Sequence, residues 1–222
     1  MNKLMRLCGL PLAYVTVGSS GQGCLAASNH ANASNLSAEY LEVQAECVLK
    51  GKIPKSLDQF FSLDPYSKEA GELGAKLSNP NCMASSVSEM RFSTPLLRGA
   101  LYRAIYIRNF GLKAPLPEAD QPTLDIEHEI KGNNDSNLNG YIILRKFSDC
   151  VVREDALNVR ALIVADTASS DEGNALQALQ ADLGACLLHG QQVKFSKIEL
   201  RGYLAEALYR LSVAAHVHSI RS

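Results

Sequence analysis

The stretch LRGYLAEALYR at residues 200–210 has a diverged counterpart in LRGALYRAIYI at residues 97–107. In the later stretch Leu200, Leu204, Ala207, Leu208 and Leu211 recur at helical spacing, so both read as amphipathic α-helices with Arg-Gly near the start. Working outward, the same shift of 103 residues aligns Cys47-Val48 with Cys150-Val151, Glu69 with Glu172, Leu73 with Leu176 and Ala75 with Ala178. It also aligns Phe92-Ser93 with Phe195-Ser196, and Tyr106 with Tyr209. A one-residue insertion, later compensated, sets Cys82 against Cys186. Unrelated segments agree at roughly one position in fifteen to twenty, so this density predicts an internal duplication.

The expected fold is therefore all-α, built of internally duplicated units with about four helices each. One unit spans 36–112 and the other 140–222, with a linker over 113–139 that holds Pro115, Pro117, Pro122 and a polar Gly-Asn-Asn-Asp-Ser-Asn run. Upstream helices are expected over 38–49 and 140–152, followed by 54–63 and 156–166. Tyr141 to Leu144 and Ala161 to Val164 have strand-like side chains, but their Arg, Ala, Asp and Leu neighbours favour helix. Ser196 with Glu199, and Ser169 with Glu172, form capping-box patterns. Thr94 ahead of Pro95, and Asp64-Pro65, are expected to start the corresponding helices of the first unit, the latter opposite a single run over 174–188.

Lys3 and Arg6 followed by the apolar Leu7 to Gly18 read as a signal peptide over 1–27, with peptidase-compatible positions after Ala26 or Ala27 and at Ala31-Asn32-Ala33. Gly21-Gln22-Gly23 lacks the aliphatic residue expected three places before a lipidated Cys24, so a periplasmic or secreted protein is expected rather than a lipoprotein. No later run is long and apolar enough to span a bilayer. Cys47, Cys82, Cys150 and Cys186 then remain in an oxidising compartment, and duplication selects Cys47 with Cys82 and Cys150 with Cys186 among three connectivities. No Cys-X-X-Cys motif supports redox chemistry or zinc.

A net charge of −1 and the lack of any Lys/Arg block argue against nucleic acid as a partner. Asp135-Ser136-Asn137-Leu138-Asn139-Gly140 resembles the start of a calcium loop, but Lys146 occupies the position that needs a bidentate Glu. The His216-Val217-His218 and Glu127-His128-Glu129 groups read as surface residues, and no cofactor or metal is expected. Hydrolase and nucleotide motifs are absent from the sequence.

The repeated charges are the strongest site candidates. Arg98 and Arg201 could each fork an anion, but the favoured reading is an intra-unit ion pair, Glu69 with Arg98 and Glu172 with Arg201. A guanidinium near a helix N-terminus opposes the macrodipole and needs an acidic or carbonyl partner. The Gly after each Arg costs helix propensity and is expected to admit a close helix approach. The functional expectation is a binding or structural module with an envelope protein or peptide as partner. An enzyme using unpaired residues such as Asp149, Glu154, Glu206 and His189 between the units is the alternative, and a small-ligand or lipid carrier the second.

Overall fold

The computed structural model describes residues 27–50, 52–78, 92–112, 115–117, 121, 124–130, 136–187 and 194–221, with side chains omitted over 27–35, at 136 and over 217–221. Among these residues the secondary structure is helical: α1 (Ala27–Val48), α2 (Ser56–Ser62), α3 (Lys68–Leu77), α4 (Thr94–Asn109), α5 (Ile126–Glu129), α6 (Ser136–Glu154), α7 (Ala156–Val164), α8 (Ser170–Ala178), α9 (Gln180–Ala185) and α10 (Lys197–Arg221). The strand-like segments at 141–144 and 161–164 lie inside α6 and α7. Burial on a helical stripe outweighs their β propensity, with Tyr141, Val159, Leu162 and Ile163 all in the core.

The centre of the molecule is α4 against α10, with α1 packed on α4 and α6 packed on α10. Leu97, Leu101, Ala104 and Ile105 of α4 meet a core that includes Leu200, Leu204, Ala207, Leu208 and Leu211 of α10. Each such leucine, fully buried, contributes about 1.5–3 kcal/mol before the entropy cost of ordering. The run from Leu97 to Tyr106 is buried on every face, so α4 behaves as a core helix rather than a surface one. Two arginines inside that run, Arg98 and Arg103, therefore have to find partners in the interior.

The two Arg-Gly pairs meet at the crossing. A Cβ added to Gly99 would lie 2.5 Å from the Gly202 Cα, and one added to Gly202 would lie 3.1 Å from the Gly99 Cα. The glycines thus let the two backbones touch, and the helix propensity they cost is offset by the contact.

Several local expectations need correction. Thr94 is the first helical residue of α4, and Ser93 is its N-cap with Pro95 in the opening turn. Asp64 does not start α3; its carboxylate accepts from the Tyr66 N–H at 2.9 Å, and the cap is Ser67, whose hydroxyl accepts from Ala70. The single run expected over 174–188 is two helices, α8 and α9, broken at Leu179, so five described helices rather than about four lie between 136 and 221. The first helix begins at Ala27 rather than 38, and the stretch expected to be linker contains α5 and the start of α6. Ser196 and Glu199 make a capping box, with the Glu199 carboxylate accepting from the Ser196 N–H at 2.9 Å. Cys150 and Cys186 form a disulfide with Cα atoms 5.8 Å apart, tying α6 to the end of α9. Cys47 is also disulfide-bonded, while Cys82 and all of the expected signal peptide before Ala27 fall outside the described residues. No described helix is long and apolar enough to cross a membrane.

Candidate functional site at the α4–α10 seam

Glu206 lies in the middle of α10 with its carboxylate 2% exposed. Arg98 reaches it from α4 at 3.0 Å, Arg145 from α6 at 3.4 Å and Arg210, one turn along α10, at 3.3 Å. The Tyr141 hydroxyl donates to the same carboxylate at 2.5 Å. Arg98 also donates to the Phe60 and Phe61 carbonyls at 3.1 and 2.6 Å, adding to the long 3.4 Å bond that the Leu63 N–H makes to Phe60 at the end of α2. Its guanidinium sits 5.4–5.6 Å from the centroids of the Phe61, Tyr102 and Tyr141 rings, where the ring faces favour a cation.

The electrostatics lock this centre in one protonation state. Burial alone would raise the Glu206 carboxyl, but Arg98, Arg145 and Arg210 outweigh it and hold the group well below the ordinary carboxylate range. Burial pushes the Tyr102 and Tyr141 hydroxyls far above their usual value, with Glu206 adding to the effect. The carboxylate is therefore charged and both phenols are neutral across the physiological range.

A second charged centre surrounds Arg201. Glu42 of α1 lies 3.1 Å from Arg201 and 3.5 Å from Arg103, and Glu172 of α8 lies 3.2 Å from Arg201. Arg201 donates to the Ala165 carbonyl and, at 3.4 Å, to Ile163, serving the end of α7 as Arg98 serves the end of α2. Glu172 also takes Lys197 at 2.7 Å and the N–H of Ala168, which has a left-handed φ of 61°, at 3.0 Å.

The expected pairing of Arg98 with Glu69 is corrected here: Glu69 is exposed on α3, and Glu206 from the far side of the seam holds Arg98. Arg201 does lie beside Glu172. Of the residues considered for an enzyme, Glu206 is at the centre, Asp149 is tied to Arg153 at 2.7 Å, Glu154 is exposed, and His189 lies outside the described residues.

Sequence reading missed Glu42, Arg103, Arg145 and Arg210. A signal for three of them was present. At the 103-residue shift Arg98 meets Arg201, Glu42 meets Arg145 and Arg103 meets Glu206, so the two centres use the same three positions with one Glu and one Arg exchanged. Counting identities hides such a swap, because each position taken alone looks like a mismatch.

Two clefts flank the Glu206 centre. One, of about 300 Å³, lies over the opening turns of α4 and α10 and is lined by Tyr66, Tyr141, Tyr203, Glu199 and Glu206 among others. The second, of about 360 Å³, is lined by Phe61, Tyr102, Tyr209 and Arg210, with Leu124 and Glu129 from the segment ahead of α6. Among the described residues no three His, Cys, Asp or Glu side chains are grouped to hold a metal ion. No protein-family model, curated protein or solved structure matches the chain.

Proposed function

We propose that the protein is an exported, periplasmic helical module of two related units, 36–112 and 140–222, that binds an envelope protein or peptide at the clefts beside the α4–α10 seam. The observation that carries this reading is the saturation of the Glu206 centre. Three guanidiniums and a tyrosine hydroxyl hold its carboxylate ionised, and the neighbouring phenols are held neutral. A general acid or base works best with a pKa near the operating pH, and here the shifts run away from it. The charges brace the seam, and the clefts beside them present aromatic and polar walls to a ligand. Both clefts carry carboxylates, which disfavours a carrier of wholly apolar cargo.

Support for two related units comes from the shared roles 103 residues apart: Arg98 and Arg201 on the ends of α2 and α7, Gly99 against Gly202, and the exchanged charges. The apolar leader and the disulfides support export.

The test is capture of the tagged mature protein from its native envelope beside a Tyr66→Asp variant. Tyr66 lines the first cleft and is 46% exposed, so the change alters the cleft without opening the core. A specific protein retained by the wild type and lost by a variant of unchanged melting temperature is expected. Capture of no specific protein by the wild type would contradict the reading, and identical captures from both would exclude the Tyr66 cleft as the binding face.

A further inference from the structure

Glu129, the last residue of α5, sits over two of the arginines that hold Glu206. Its Oε2 is 3.1 Å from an Arg145 nitrogen and 2.8 Å from an Arg210 nitrogen, closing a ring of two acids and two guanidiniums. The two acids are not alike. Glu206 is 2% exposed and cannot leave, whereas Glu129 is 26% exposed and both its contacts fall on one oxygen. Guanidinium–carboxylate pairing is strongest when two oxygens are engaged, so Glu129 fills the fork incompletely. Arg145 is 1% exposed and its Nε has no hydrogen-bond acceptor, which leaves donor capacity unused. Among the described residues the ion-pair partners of Arg98, Arg145 and Arg210 are Glu206 and Glu129, while Asp58 stands on the same cleft wall outside those pairs, so a ligand carboxylate has to take the place of Glu129 rather than add to it.

The surroundings indicate what else could fit. The cleft of about 360 Å³ that contains Glu129 and Arg210 is walled by Phe61, Tyr102, Tyr209 and Val213. An apolar body would lie against these walls while its carboxylate took the place of Glu129 on Arg210, the arginine on the cleft wall. Ile126 and Ile130, on either side of the acidic residues, are buried, so the segment stays docked and exchange needs only rotation of the Glu129 side chain.

We propose that this cleft is a binding site for a carboxylate on an apolar body, such as the C-terminus of a peptide, and that Glu129 is its built-in competitor. This rests on the binding reading above and specifies one of its two clefts. A site occupied in cis binds an outside ligand more weakly by the fraction of time it is free. Relieving the occupancy therefore has a definite sign.

Binding of N-acetyl-phenylalanyl-leucine by the full chain is measured by calorimetry, beside its C-terminal amide. Glu129→Gln removes the competing charge and retains an amide oxygen for Arg145; Glu129→Asp withdraws the carboxylate by one methylene and serves if the first variant folds poorly. The acid is expected to bind Glu129→Gln about tenfold more tightly than wild type, the Asp variant to fall between, and the amide to bind none of them. Adding Arg210→Gln to Glu129→Gln should abolish the gain. A ten-residue peptide with the same last two residues separates the sources: equal affinity assigns the site to peptide termini, weaker binding to free acids. Equal affinity of wild type and Glu129→Gln for the acid, or binding of the amide as tightly as the acid, would overturn the proposal. Neither result bears on partner capture at the Tyr66 cleft, which judges the binding reading separately.

Discussion

The Arg98 and Arg201 centres share three positions and differ in where they put the carboxylate. In the first it is Glu206 on the central helix α10; in the second it is Glu42 on the flanking helix α1. Placing the negative charge centrally concentrates it, because Arg98, Arg145 and Arg210 all meet one buried group, with the partly exposed Glu129 as a second partner for the last two. Placing it outside spreads it: Arg201 and Arg103 share Glu42, Glu172 and the exposed Glu46, and Lys197 joins from the side. An interior can accept either arrangement so long as opposite charges stay paired. What changes is how much rests on a single side chain.

The largest effects should come from breaking the concentrated centre. Glu206→Ala leaves the nearly inaccessible Arg98 without a carboxylate and Arg145 with Glu129 alone, and is expected to cost about 3–5 kcal/mol in urea unfolding. Glu42→Ala should cost less than half as much, since its carboxylate is 17% exposed and Arg201 retains Glu172. Equal losses would show that the two centres are energetically alike. Acid sharpens the same contrast. A depressed folded-state pKa gives stability that is present above the unfolded-state value near 4.3 and is lost as pH falls toward the folded value. Wild type should therefore lose stability steeply below about pH 4, and Glu206→Gln should show a flatter acid limb there.

The seam gives the next pair. Gly99→Ala drives a methyl to 2.5 Å from a backbone atom that cannot rotate away, whereas Gly202→Ala meets its neighbour at 3.1 Å. A cost of about 1–3 kcal/mol is expected for the first and distinctly less for the second, read from thermal melts. Smaller still is the contrast between the repeated acids. Glu172→Ala removes partners from Arg201, Lys197 and the Ala168 N–H and should cost about 1–3 kcal/mol, while Glu69→Ala on the exposed face of α3 should change stability by less than about 0.5 kcal/mol.

These contrasts also mark how far the sequence could be read. The helical class and a close helix approach at the glycines were legible because apolar spacing and a repeated small residue are local patterns. The partner of Arg98 was not. Glu69 recurs at the right shift, yet it faces solvent, and the acid that does the pairing comes from a position that carries Arg in the other half. Long-range pairing across a seam leaves no local trace; its only sequence mark is a pair of opposite charges that trade places. The break at Leu179 escaped notice for a related reason, since Leu176, Leu179 and Leu183 are buried on both sides of it and keep the apolar rhythm unbroken. The fork at Glu129 lay in a stretch expected to be linker, where composition says little about which carboxylate will dock.

The exchanged triad itself is the most direct test. Glu42→Arg with Arg103→Glu would rebuild around Arg201 the arrangement that Glu206 and Arg145 make around Arg98. If the two centres are equivalent positions of one repeated unit, each single change should cost about 3–5 kcal/mol and the double change no more than about 1–2 kcal/mol by chemical unfolding. A double variant as unstable as the sum of its singles would contradict the equivalence of the two centres.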